Sequence, residues 1–142
     1  MKILVIDIET TGFLPTGKIC EIGIVELCLV TGEKKIVFNQ VINPQLIMDI
    51  LDKSWICQNE YMNSGEIVLG KIFDEIKDEV QQIVNNYPCG ATAFNRDFDV
   101  KFLESYGITF PKLLPCPMKQ STSICKLPNQ NGYSGFKWPK VE

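Results

Sequence analysis

The stretch Lys2-Ile3-Leu4-Val5-Ile6-Asp7-Ile8-Glu9-Thr10-Thr11-Gly12 decides how the rest of the chain is read. Lys2 to Ile8 is a nearly unbroken apolar run rich in β-branched residues, the pattern of a strand buried on both faces. Side chains alternate along a strand, so Asp7 and Glu9, two residues apart, project from one face. A turn, Thr10-Thr11-Gly12, follows at once. Paired carboxylates beside such a turn suit hard divalent cations, which prefer oxygen ligands.

Working outward, Phe13 to Gly17 reads as a turn containing Pro15 and Gly17. Ile19 to Val30 is a second strand, and Thr31-Gly32-Glu33-Lys34 closes a hairpin into a third, Lys35 to Ile42. These strands are expected to form an antiparallel meander with the first strand near the sheet centre. Gln45 to Gly65 shows no clean period and reads as irregular, with room for a helical turn. Asn63 to Glu66 has capping-box spacing, and Leu69, Ile72, Phe73, Ile76, Val80 and Ile83 then recur on one helical face. That stripe is core.

Ala91 to Phe94 resumes as a strand, and Phe98 to Tyr106 reads as a helix ended by Gly107. A crossover from the meander would lay Ala91–Phe94 parallel to the first strand and bring Asp99 towards Asp7 and Glu9. Phe110 to Pro117 is a Pro-containing connection or short edge strand. Met118 to Cys125 is a further helix, Asn129 to Gly135 a loop, and Trp138-Pro139 the opening of a last helix. The expected fold class is α/β, a mixed sheet with helices packed on it, in one domain spanning residues 1–142.

The formal charge of −3 gives no global case for binding a polyanion. Its distribution is uneven: residues 1–99 hold eight Lys/Arg against fifteen Asp/Glu, and residues 100–142 hold six against two. A basic rim beside an acidic site would help to draw in a phosphate backbone, although a solvated surface explains the same residues. The six cysteines form no CxxC pair, and no histidine completes a zinc site. With no signal peptide and no membrane-length apolar run, reduced thiols and a cytoplasmic location are expected. Trp55 and Trp138 read as packing residues, with stacking on a single strand as the alternative, and Asp97 reads as a first-turn residue that favours the helix dipole and not as a ligand.

Asp7-Ile8-Glu9-Thr10-Thr11-Gly12 resembles the first motif of the DEDD superfamily of 3′→5′ exonucleases, in particular the DnaQ-like proofreading type. Asn95-x-x-Phe98-Asp99 resembles the second motif. Met118-Lys119 through Pro128, with Gly135-Phe136-Lys137-Trp138-Pro139, resembles the connecting region. The resemblance implies a ribonuclease H-like fold and two divalent ions, Mg²⁺ or Mn²⁺, held by four carboxylates. Asp7 would bridge the ions, with Glu9 and Asp99 each ligating one. Thr10, Thr11 and Gly12 would contact the terminal nucleotide and Phe13 would wedge against its base, while Asn95 and Phe98 would shape the helix start beneath the site. The implied partner is single-stranded or 3′-terminal nucleic acid, with a polymerase or a second copy of the chain as further candidates and no membrane.

The resemblance stops short at the family's third motif, a His followed by the fourth Asp. The sequence has no histidine, and after Asp99 its only acids are Glu104 and Glu142. The expectation is a domain lacking its C-terminal part and therefore a very weak nuclease, since general-base assistance is worth ~10²–10⁴-fold. The alternative is a catalytically inactive nucleic-acid-binding or interaction module of the same fold.

Overall fold

In the computed structural model, which describes residues 1–130, 132 and 134–141, the opening stretch forms strand β1 (Lys2–Thr10). It pairs antiparallel with β2 (Ile19–Cys28), which pairs antiparallel with β3 (Lys34–Val41). The fourth strand, β4 (Ala91–Thr92), lies parallel to β1 with Leu4 opposite Ala91 and Val5 opposite Thr92. The sheet order β3-β2-β1-β4 places β1 inside, as its apolar run requires. The chain is therefore α/β, with a four-stranded mixed open sheet and helices.

β4 is half the expected length, because the chain turns into a helix soon after Ala93. Phe110–Pro117 contributes only an isolated bridge, Leu113 beside Ala91. The region expected to be irregular instead holds three short helices, α1 (Met48–Lys53), α2 (Trp55–Gln58) and α3 (Ser64–Val68). Each is too short to print a helical period on the sequence, and packing holds them in place. The Asn63 side chain does accept the Glu66 N–H, at 2.8 Å, but it caps α3. The long helix expected beyond it is a separate element, α4 (Phe73–Asn85).

Helix α5 (Arg96–Ser105) begins two residues before Phe98, and α6 (Pro117–Cys125) carries Pro at its first position. No helix forms at Trp138-Pro139; Phe136 instead bridges Pro128. Part of the expected 129–135 loop, at residues 131 and 133, lies outside the described residues, as does residue 142. Among the described residues no helix is long and apolar enough to cross a membrane.

The main core joins Leu4, Ile6, Ile8, Ile22 and Ile24 of the sheet to Ile76, Val80 and Val84 of α4 and to Phe102 and Leu103 of α5. Asp7 and Glu9 have the opposite parity and lie on the other side of β1. A smaller cluster joins Cys20 of β2 to Leu51, Ile56, Met62 and Ile67 of the short helices. Phe102 is 1% exposed and is the largest fully buried side chain. Phe102→Ala is expected to cost ~3–5 kcal/mol by the transfer and cavity terms together. Urea denaturation checks this, and a loss below ~1 kcal/mol would show that α5 is not anchored through this ring.

A candidate cation site and its aromatic cleft

The end of β1 is held open by its neighbours. Gly23 stands opposite Asp7 and offers no side chain to cover it, while Glu21 stands opposite Glu9. Directly opposed residues share a face, so Glu21 joins the two acids across the strand pair. A register shift between Glu9 and Thr10 ends the regular pairing there, a common device for re-aiming a side chain at a site.

Asp99 arrives from the first turn of α5, 4% exposed. Its Oδ1 accepts the Ile8 N–H at 3.0 Å. The Leu4 N–H, on the same edge of β1, donates to Gly90 O at 3.1 Å. β4 has ended by the level of Ile8, so that amide has no strand partner and the carboxylate fills the gap. Asp99 thus serves the fold as well as the acidic cluster. The expected convergence with Asp7 and Glu9 is present as an electrostatic neighbourhood. Burial pushes the Asp99 carboxyl up to about 7 and outweighs the Ile8 hydrogen bond, with Asp7 and Glu9 raising it further.

The other three acids are raised as well. Asp7 is raised by burial alone, Glu9 by burial and then by Asp7 and Glu21, and Glu21 by burial and then by Asp7 and Glu66. Among the described residues the ion pairs are Lys2–Glu26, Arg96–Asp97 and Lys119–Asp97, so none of these four acids has a counter-charge in the protein. Their oxygens and their unrelieved repulsion fit a hard divalent cation in kind. Their present positions do not form a finished cage: among the described residues no three His, Cys, Asp or Glu side chains are gathered to hold an ion.

The turn beyond β1 is built from its own side chains. Thr10 Oγ1 donates to Gly12 O at 2.8 Å, and Thr11 trades backbone and hydroxyl bonds with Lys18. Thr10 has therefore spent its proton inside the turn, whereas Thr11 still has one to donate. Gly17 is required here, because a Cβ on it would run into the backbone oxygens of Gly12 and Phe13. Gly12 itself faces open space.

Beside Glu9 opens a cleft of about 390 Å³ lined by Ile8, Glu9, Thr10, Gly12, Phe13, Trp55 and Phe98. Phe13 is 80% exposed and meets Phe98 edge-on, with ring centroids 6.0 Å apart. Trp55 is 53% exposed and stacks on Tyr61 at 5.2 Å, so it is not the packing residue expected from sequence. Its backbone N–H donates to Thr11 O at 3.2 Å, which docks α2 against the turn. Trp138, also expected to pack, is 59% exposed.

Asn95 sits just before α5 in the left-handed conformation (φ 62°) and makes no side-chain cap. Cys116 supplies that end instead, its Sγ accepting the Arg96 N–H at 3.3 Å. Asp97 lies in the first turn of α5, as expected, and is turned to Lys119 at 2.7 Å and to Arg96. The same pairing ties up one member of the supposed basic rim, Lys119.

Glu21 is the residue that sequence reasoning missed. Parity across the β1–β2 hairpin could have found Glu21. In comparisons with known proteins, the chain matches no family model and no curated sequence.

Proposed function

We propose that this chain is a metal-dependent 3′→5′ exonuclease domain of the DnaQ-like type, with a ribonuclease H-like fold, acting on single-stranded or 3′-terminal nucleic acid. The observation that carries the reading is that Asp7 and Glu9 at the end of one central strand bear electrostatically on Asp99, all three raised by burial and none neutralised by a cation among the described residues. The mixed sheet, with one parallel strand beside a three-stranded meander, is compatible with that fold.

In this reading Asp7, Glu9 and Asp99 hold Mg²⁺ or Mn²⁺. A divalent ion so held supplies Lewis-acid polarisation of a phosphate and a water of lowered pKa. The rest falls to the chain. Phe13 and Trp55 take a terminal base by stacking, which tolerates any sequence. Thr11 retains a hydroxyl proton for a phosphate or sugar oxygen. Glu21 adds negative charge that strengthens cation binding. No histidine is present to act as general base, so hydrolysis by this chain is slow.

A second reading is favoured by one observation: Asp99 already spends Oδ1 on Ile8, and burial holds its carboxyl far above the usual carboxylate range. A chain with that carboxylate kept for structure would be a nucleic-acid-binding module.

The test uses a 3′-labelled single-stranded oligonucleotide with Mn²⁺, Mg²⁺ or EDTA. Slow mononucleotide release that needs the cation supports the exonuclease. Binding with no release in any cation supports the module. Trp55→Ala is expected to weaken oligonucleotide binding by ~1–3 kcal/mol, the usual worth of one stacked base. Unchanged affinity would remove the cleft from the reading.

A further inference from the structure

Cys20 is fully buried on β2, in the cluster formed with Leu51, Ile56, Met62 and Ile67. Cys57, on α2, packs against the same cluster and is only partly buried. It also lines a cavity of about 310 Å³ with Tyr61, Met62 and Glu66, a path by which a small solute reaches its sulfur. The remaining cysteines lie elsewhere: Cys28 at the end of β2, Cys89 before β4, Cys116 against Arg96 and Cys125 at the end of α6. All six are free thiols.

We propose that Cys20 and Cys57 form a reversible redox latch in which hydrogen peroxide closes a disulfide that ties α2 to β2. Cys57, the reachable sulfur, acts first. Its thiolate attacks one peroxide oxygen, an S–O bond forms as the O–O bond breaks, and the departing hydroxide takes a proton to leave as water. The sulfur, oxidised by two electrons, is now a sulfenic acid. The Cys20 sulfur then attacks it, the S–S bond forms as the S–O bond breaks, and the Cys20 thiol proton leaves with the hydroxyl as a second water. An external dithiol reverses the link by exchange.

The order follows from the surroundings. Cys20 is fully buried, which keeps peroxide from its sulfur, whereas Cys57 lines the open cavity. Cys20 lies within one packed cluster and Cys57 packs against that same cluster. The latch matters because α2 also carries Trp55, whose backbone is bonded to Thr11 and whose ring walls the cleft. Closing it would hold that wall in place.

The test treats the purified full chain with hydrogen peroxide and maps its peptides without reduction. Trypsin followed by cleavage after glutamate is needed, because Cys20 and Cys28 share a tryptic peptide that Glu21 divides. The expected product links the Cys20 and Cys57 peptides, is lighter by two hydrogens, and disappears with dithiothreitol or in Cys57→Ser. Amide exchange across residues 54–60 is expected to slow on oxidation and recover on reduction. A free Cys20 beside a Cys57 sulfinic acid, or a link to any other cysteine, overturns the proposal. So does a Cys20–Cys57 link that leaves the exchange unchanged. None of these readouts depends on nuclease activity.

Discussion

An Asp7→Ala variant is expected to lose at least ~10²-fold in Mn²⁺ affinity and all cation-dependent release of mononucleotides, while folding as well as the parent. Altering a partner that merely orients a metal ligand already costs ~10–100-fold, and the carboxylate itself carries more. The fold is expected to tolerate the change. Asp7 faces Gly23 across the hairpin, its side chain open to solvent while its carboxyl is partly desolvated at the sheet surface and raised for that reason, so the native state gains nothing from its charge. Removing it also relieves repulsion on Glu9, Glu21 and Asp99. Titration of Mn²⁺ by electron paramagnetic resonance, beside thermal unfolding of both proteins, checks the two halves separately. Retained affinity in Asp7→Ala would mean that the ion, if one binds, sits elsewhere.

Asp99→Asn is expected to separate stability from cation binding. The Asp99 carboxyl titrates near 7 in the native state and near ~3.9 when unfolded. Between those values the native chain keeps a proton that the unfolded chain has lost. Its contribution to stability therefore falls as pH rises from ~4 to ~7 and stays low above that, a total of about 4 kcal/mol. Asparagine keeps an acceptor for the Ile8 N–H and carries no charge to bury. The variant should thus lose this pH dependence and, without divalent ions, be the more stable protein at pH 8. Added Mn²⁺ should stabilise the parent and leave the variant unmoved. Urea midpoints at pH 5 and pH 8 decide it: a variant less stable than the parent at pH 8 would show that the ionised carboxylate is satisfied in the native state.

Much of the architecture was legible because it depends on runs of residues. The β1 run, the β2–β3 hairpin and the apolar stripe of α4 each repeat a period long enough to be read. The parallel placement of Ala91–Thr92 beside β1 followed from topology. The short helices over 48–68 left no period, since four to six residues span little more than one turn. The helix expected at Trp138-Pro139 failed for a related reason: a Pro that suits a helix start does not create a helix without a packed face.

For the site, the sequence by itself determined the alternation that aims Asp7 and Glu9 to one side, and the turn that follows them. Those are consequences of covalent geometry and of local side-chain bonding by Thr10 and Thr11. Only the tertiary structure decided the rest. It set Glu21 opposite Glu9, stood Trp55 against the Thr11 turn, and gave Asp99 a backbone amide to satisfy where β4 stops short. Each of those depends on which strand ends where and what packs beside it. Such distances join residues far apart in the chain, and no local pattern records them.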